Sequence, residues 1–172
     1  MFVMTEIIVV LDNVRSTHNV GSILRTADGL GVTKVVLTGY TPYPKVANDE
    51  RLPHEIVKQT NAIKKTALGA ESTMNIERYE NIHDVIVRLK KRNYSIVGLE
   101  QSTSSISIDK LEISDKIALI VGNEVNGISD DVLGEADAIV EIPMEGEKES
   151  FNVSVATGIA VYALTSRSKK DA

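Results

Sequence analysis

Residues 12–27 contain the first of three segments whose residue types could do chemistry. An apolar stripe at helical spacing predicts a helix here, and Arg15, Asn19 and Arg25 are not part of the stripe, so they are available to bind a ligand. Asn19 could cap that helix, and Gly21 would let another group approach its first turn, where free backbone N–H groups suit an anion. Taken singly, Asn19 could be only a cap and Arg25 only a surface cation. Together with Arg15 they favour phosphate binding.

The second segment, Gly122 to Gly127, follows an apolar run and reads Gly-Asn-Glu-Val-Asn-Gly. Its two glycines could allow a tight turn with close backbone approach to a ligand, and Glu124 offers a carboxylate. The segment lacks the Gly-Lys-Ser/Thr ending of a Walker loop, and no Gly-x-Gly-x-x-Gly follows a strand. Nucleoside triphosphate and dinucleotide binding are therefore disfavoured.

The third segment, Pro143 to Gly158, is a polar loop that enters a helix through Ser150 and Asn152. Either residue could be a helix N-cap. One helix does not need two caps, so one polar residue is left for function. Gly158, in the middle of that helix, suggests close packing against another element.

The elements that position these segments alternate between strands and helices along the chain. The strands are continuous β-branched runs, as expected for a parallel sheet covered on both faces, so we predict a three-layer α/β fold of mostly parallel strands flanked by helices. Ligands gather at the carboxyl ends of such strands. Apolar periodicity predicts strands over 6–11, 34–38, 94–99, 117–121 and 138–142, a short segment over 74–79, and helices over 19–30, 53–68, 82–91, 130–134 and 152–166.

The composition of the 172 residues suits one domain, residues 1–172. With no cysteine and three histidines without ligand spacing, no metal site is expected. The net charge of −5 argues against binding nucleic acid through bulk electrostatics. Basic clusters at 64–65, 90–92 and 167–170 could form a local patch, although such clusters are more often solvated surface. No leader-like start or membrane-spanning run is evident, so a cytoplasmic location is expected.

In order and spacing, the three segments resemble the signature motifs of the SpoU/TrmH family of SPOUT methyltransferases, and the resemblance covers nearly the whole chain. It implies a C-terminal deep trefoil knot, which nothing in the residue pattern predicts. The matching residues are Asn19, Gly21, Arg25, Thr26 and Ala27 in the first motif, Gly122, Glu124 and Gly127 in the second, and Pro143, Met144, Ser150, Asn152, Val153, Ser154 and Ala156 in the third.

The resemblance further implies an RNA 2'-O-ribose methyltransferase that uses S-adenosylmethionine, with tRNA and rRNA both plausible substrates. Phe151 stands where leucine is commoner and would change the shape of the donor pocket without abolishing binding. The residues that the resemblance assigns to the donor are Leu99, Glu100, Gln101, Gly122, Asn123, Glu124, Ile142, Met144, Phe151, Asn152 and Val153.

By the same resemblance Arg25 is the central catalytic residue. A guanidinium keeps its proton in proteins, so we expect Arg25 to anchor phosphate and stabilise an oxyanion rather than act as a base. Arg15 would join Arg25 in binding RNA. Asn19, Ser150 and Asn152 would orient the ribose and the arginine, and Glu124 would hold a neighbouring group or an arginine of the partner subunit.

Family members are homodimers with the active site near the subunit interface, and Val155, Ile159 and Tyr162 of the closing helix are candidate interface residues. Two other readings compete with this one. A non-catalytic RNA-binding or ribosome-assembly module could keep the same scaffold. An α/β hydrolase would need a catalytic triad or a phosphate loop, and we find neither in the sequence.

Overall fold

The alternating pattern folds into a parallel sheet in the computed structural model, which describes residues 5–168. Lys169 and Lys170 of the C-terminal basic cluster lie outside the described residues. The strands are β1 (Glu6–Asp12), β2 (Lys34–Thr38), β3 (Ile76–Arg78), β4 (Ser95–Leu99), β5 (Ile106–Ser107), β6 (Lys116–Val121) and β7 (Ala138–Glu141). The helices are α1 (Thr17–Gly29), α2 (Pro53–Ala67), α3 (Ala70–Thr73), α4 (Ile82–Lys91), α5 (Asp130–Glu135) and α6 (Val153–Ser168), with a 3-10 turn at Ile108–Lys110.

The sheet has the order β3-β2-β1-β6-β4-β7-β5, and every ladder between these strands is parallel. Alternate residues of β1 point to opposite faces, with Ile7, Val9 and Leu11 packing towards α1, α2 and α6, and Ile8 and Val10 towards α4 and α5. Helices thus cover both faces, and the predicted three-layer α/β arrangement is confirmed.

Four strands that are scattered along the sequence become neighbours in the middle of this sheet. β1, β6, β4 and β7 lie side by side, so the segments that follow them meet at one edge. β1 pairs with β2, the next strand in the chain, on one side and with β6 on the other. The carboxyl end of β1 is therefore a topological switch point, where ligands bind in sheets of this kind.

The prediction that Asn19 caps α1 is wrong. Ser16 is the N-cap: its backbone is extended, and its hydroxyl accepts a hydrogen bond from Asn19 N–H at 3.3 Å. The helix therefore begins at Thr17, and Asn19 lies in its first turn with its side chain free for other contacts. At α6 the cap is Asn152, whose Oδ1 accepts from the N–H of Ser154 at 2.9 Å.

Gly21 serves helix packing rather than anion binding. A Cβ added there would lie 2.1 Å from Thr66 Oγ1 and 2.3 Å from the carbonyl oxygen of Ile63, both in α2. The group that approaches α1 at Gly21 is therefore another helix. Gly158 has the corresponding role in α6, because its added Cβ would lie 3.2 Å from Thr26 Cγ2 in α1.

Gly21→Ala is expected to lower the free energy of unfolding by about 2 kcal/mol, because the backbone carbonyl of Ile63 cannot move aside without separating α1 from α2. Urea denaturation with an unchanged m-value would measure the loss. Gly29→Ala is the control, since nothing lies within 4 Å of a Cβ added there at the end of the same helix. Equal midpoints for the two variants would refute the packing role of Gly21.

Candidate active site

A cavity of about 400 Å³ opens at the carboxyl ends of β4, β6 and β7. This volume lies in the range of small-molecule binding sites. Its lining residues come from all the segments that follow these strands: Leu99, Glu100, Gln101, Val121, Gly122, Asn123, Glu124, Val125, Gly127, Glu141, Ile142, Ser150, Phe151, Asn152, Val153 and Ala156.

Most residues predicted to bind the donor line this cavity; Met144 does not, and lies half-buried beyond it. Gly127 and Ala156 were predicted only as motif residues, without a contact to the donor, and Val121, Val125 and Glu141 were not predicted. Each of the last three is next to a predicted residue, so extending each predicted segment by one residue would have found them.

The loop after β6 folds back on itself, which explains its two glycines. A Cβ at Gly122 would lie 2.5 Å from the carbonyl carbon and oxygen of Gly127, and Gly127 has a φ of 67°. The close approach at Gly122 is therefore to its own loop, not to a ligand. Glu100 fixes the end of the turn, because its Oε2 accepts from the N–H of Ile128 at 2.8 Å.

Asn123 is buried and its polar atoms are engaged within the protein. Its Nδ2 donates to Asn13 O at 3.0 Å and to the Tyr40 hydroxyl at 2.8 Å, and its Oδ1 accepts from the N–H groups of Val125 and Asn126. Its backbone N–H and C=O pair with Gly127. Asn123 thus builds the wall of the cavity and holds the loop together.

The Glu124 carboxylate connects this loop to the start of α1. Its oxygens accept hydrogen bonds from Arg15 N–H at 2.8 Å, Ser16 N–H at 3.0 Å and Asn19 Nδ2 at 2.8 Å. The anion expected at the start of this helix is therefore supplied by the protein itself. Partial burial would raise the pKa of Glu124, but these hydrogen bonds outweigh it and hold the pKa below its usual value.

Asn19 extends the network to the third segment. Its Oδ1 accepts from Asn152 Nδ2 at 3.2 Å, while its own amide nitrogen is held by Glu124. Asn19, Glu124 and Asn152 come from the three predicted motifs, and the fold joins them in one hydrogen-bonded row beside the cavity.

The remaining predicted site residues present free polar groups. Ser150 is exposed at the rim of the cavity, and Arg15 and Arg25 are exposed outside it. Among residues 5–168, the side chains of Ser150, Arg15 and Arg25 have no hydrogen-bond or ion-pair partner. They are therefore available to a ligand.

Within residues 5–168, no group of three or more His, Cys, Asp or Glu side chains is arranged to hold a metal ion. Nor does any helix there have the length and apolar character needed to cross a membrane.

Comparison with known proteins matches residues 6–162 to the SpoU rRNA methylase family. A tRNA (guanosine(18)-2'-O)-methyltransferase from Borreliella burgdorferi is 33% identical over 163 residues, which are 94% of this chain and 66% of the relative. The chain thus spans just under two thirds of that protein.

Two solved structures have similar folds. The TrmH/SpoU tRNA modifying enzyme of A. aeolicus superposes with a TM-score of 0.78 at 26% identity, over 99% of this chain and 80% of that one. An AdoMet-bound rRNA methyltransferase from Sinorhizobium meliloti superposes with a TM-score of 0.75 at 25% identity, over 95% of this chain and 57% of that one.

Glu124→Gln is expected to lower the free energy of unfolding at pH 7 by about 1 kcal/mol, since its three hydrogen bonds lose the assistance of the charge. The pKa of Glu124 in the folded state lies below its ordinary value of 4.5. The ionised carboxylate therefore stabilises the fold above pH 4.5, and this contribution is lost as the pH falls through the lower folded value.

Urea denaturation of the wild type and Glu124→Gln at pH 7 and pH 3 would measure both effects. Glu145→Gln, which changes an exposed loop carboxylate, is the control. A stability difference between wild type and Glu124→Gln that is as large at pH 3 as at pH 7 would contradict the role of the charge.

Proposed function

The chain belongs to the SpoU rRNA methylase family, and we propose that it is a methyltransferase that transfers a methyl group from S-adenosylmethionine to a ribose 2'-hydroxyl of tRNA or rRNA. The observation that carries the proposal is the row Glu124, Asn19 and Asn152 beside the cavity, since it unites the three motifs in one site. The names of the relatives add support, as they include tRNA and rRNA 2'-O-methyltransferases.

The cavity fits the proposed methyl donor in size and charge. Leu99, Ile142 and Phe151 offer apolar surface to a purine ring, and the lining includes the carboxylates of Glu100, Glu124 and Glu141. None of the described lining residues is a lysine or arginine. Such a lining favours a cationic ligand over an anionic one. When bound, S-adenosylmethionine supplies an electrophilic methyl group on a positively charged sulfur.

The same charge distribution keeps RNA phosphates outside the cavity. Arg15 and Arg25 are both exposed, and their side chains have no partner among residues 5–168, so they offer the cations that phosphates need at the approach to the cavity. Transfer of the methyl group would leave a neutral thioether and release the 2'-hydroxyl proton, which passes to solvent water. We assign Arg25 to anchoring a phosphate and to stabilising negative charge on the 2'-oxygen as that proton leaves. Its guanidinium keeps its proton and cannot serve as the base.

Asn152 and Ser150 are suited to orient the ribose. One N–H of the Asn152 amide is fixed on Asn19, whose own orientation is set by Glu124. The other N–H has no partner in the described part of the chain and is available to a ribose oxygen, as is the free hydroxyl of Ser150. The contribution of these residues to the rate is alignment, which is a large part of catalysis when two groups must meet in line.

We also propose that residues 1–172 are one methyltransferase domain, that it acts in the cytoplasm, and that its C-terminal part has the trefoil knot of the SPOUT fold. The proposed knot rests on the resemblance of the three motifs to those of the SPOUT methyltransferases. The start of α6 meets Asn19 through Asn152, and near its other end Arg167 donates to the carbonyl oxygens of Ile108 and Leu111 at 2.9 and 2.7 Å. The helix therefore spans from the cavity to the segment that follows β5.

The proposed active protein is a homodimer. Val155, Ile159 and Tyr162 form an apolar stripe on one side of α6, at i, i+4 and i+7 spacing, and they are 49%, 37% and 63% exposed. An exposed apolar stripe of this kind is typical of an interface. Because α6 also carries the Asn152 cap at its start, a partner on this stripe would lie beside the site.

Methyl transfer can be tested with the purified protein, labelled S-adenosylmethionine and unmodified tRNA and rRNA transcripts, supplied separately. We expect label in a 2'-O-methylnucleoside. Arg25→Ala should lower kcat/KM by roughly a hundredfold or more while leaving donor binding nearly intact, because Arg25 acts mainly in the transition state. Arg92→Ala, an exposed arginine just after α4, is the matched control and should behave as wild type.

Donor binding without methyl transfer to either RNA would favour a non-catalytic RNA-binding or assembly module. Equal losses of donor binding and turnover in Arg25→Ala would contradict the assigned role. If the donor does not bind, the proposed use of the cavity is wrong.

Ile159→Glu is expected to shift the protein from dimer to monomer at micromolar concentration, since it introduces a charge into the apolar stripe. Sedimentation velocity would measure the change. Val87→Glu, at a more exposed apolar position on α4 at the other face of the sheet, should leave the dimer intact. A monomeric wild type would refute the proposed assembly.

A further inference from the structure

Tyr40 is an exposed aromatic residue beside the site that none of the three motifs includes. It follows β2, and 60% of its surface is exposed, although aromatic residues make up only 4% of the chain. An aromatic ring in water at the carboxyl edge of the sheet has no role in the core.

The ring is held at both ends. The backbone N–H of Tyr40 donates to Asn13 Oδ1 at 3.1 Å, and its hydroxyl accepts from Asn123 Nδ2 at 2.8 Å. Gly39, with a φ of 61°, lets the chain come this close to Asn13, since a Cβ there would lie 1.9 Å from Asn13 Oδ1. Tyr40 therefore spans the ends of β1 and β6 in a fixed orientation.

The loop that continues from Tyr40 is braced as well. Arg51 stacks on the ring of Tyr43 at 3.6 Å, donates to the carbonyl oxygen of Tyr43 at 3.0 Å and forms an ion pair with Asp49. The loop that carries the exposed ring is therefore held in place by contacts within the protein. A preorganised aromatic surface loses little conformational entropy on binding.

Tyr40 and Arg15 flank the same two residues of the loop after β6. Asn123 holds the Tyr40 hydroxyl, and the next residue, Glu124, holds the backbone N–H of Arg15. An RNA strand whose phosphate is drawn to the exposed Arg15 side chain would bring a base to the adjacent ring. Bases stack on such rings with little regard to their identity.

We propose that Tyr40 is a stacking platform for a nucleobase of the RNA substrate. The inference rests on the proposed function and extends it from phosphate and ribose contacts to a base contact. Arg15 supplies charge and Tyr40 supplies stacking. The two contributions differ in their dependence on salt, because only the charged contact releases counterions.

The test compares Tyr40→Leu with Tyr40→Phe in binding to unmodified tRNA transcripts and to a 23S rRNA transcript. Both variants lose the hydrogen bond to Asn123, but only Tyr40→Phe keeps an aromatic ring. We expect roughly tenfold weaker RNA binding for Tyr40→Leu and a change below about threefold for Tyr40→Phe. Tyr40→Leu should keep the salt slope of wild type, whereas Arg15→Ala should reduce it by about 1.

A fluorescent reporter tests the contact directly. The chain has no tryptophan, so Tyr40→Trp carries a single one, and its emission should be quenched when RNA stacks on it. Val87→Trp, on the opposite face of the sheet, is the control and should keep its emission.

Equal loss of RNA binding in Tyr40→Leu and Tyr40→Phe would overturn the proposal, since it would assign the effect to the bond with Asn123. Unchanged emission of Tyr40→Trp at saturating RNA would overturn it too. So would emission that varies with protein concentration without RNA, because a second copy would then cover the ring. If wild type binds and methylates RNA but Tyr40→Leu equals it, only the stacking role fails; if wild type binds neither RNA, the proposed function fails with it.

Discussion

The carboxylate of Glu124 is the contact on which the arrangement of the site depends. It lies on a loop after one central strand and accepts hydrogen bonds from the backbone at the start of α1 and from the side chain of Asn19. Asn19 in turn holds Asn152, the cap of α6. One ionised group therefore fixes the relative positions of a loop and two helices. Its lowered pKa is the expected consequence, because three donors stabilise the charged form.

Because Glu124 accepts hydrogen bonds at the start of α1, the negatively and positively charged groups of the site lie in different places. The start of α1 is already occupied by a carboxylate, so under the proposed function the RNA phosphates would be bound by side chains such as Arg15 and Arg25, which lie outside the cavity. The cavity itself is lined by carboxylates and apolar groups. A cationic methyl donor and an anionic RNA would thus approach one site from regions of opposite charge, which keeps the RNA backbone out of the donor's position.

Close packing supports the polar network. Gly21 lets α1 press against α2, and Gly158 lets α6 press against α1. The helix that carries Asn19 and the helix that Asn152 caps are therefore both closely packed, and a shift of either helix would break a hydrogen bond at the site. The glycines of the loop after β6 act in the same way, since Gly122 and Gly127 bring Glu124 into reach of α1.

The sequence alone determined the layers of the fold and the chemical character of the site. Continuous apolar strands require cover on both faces, and polar segments after strands mark the edge where ligands bind. These patterns are local, so they could be read from neighbouring residues. Most of the individual residues that line the cavity were predicted by the family resemblance instead. The two-residue β5 and the single turn of α3 were missed because such short elements have no periodicity to detect.

Only the tertiary structure decided how each polar residue is used. Arg15 and Glu124 are 109 positions apart, and nothing near either residue in the sequence indicates that the backbone N–H of Arg15 donates to the carboxylate of Glu124. The same holds for Asn19, which appeared to be a cap until Ser16 took that place, for Gly21, whose neighbour proved to be α2, and for Tyr40, which no motif marked. A polar or small residue can satisfy several roles locally, and the choice among them is made by partners that only folding brings into contact.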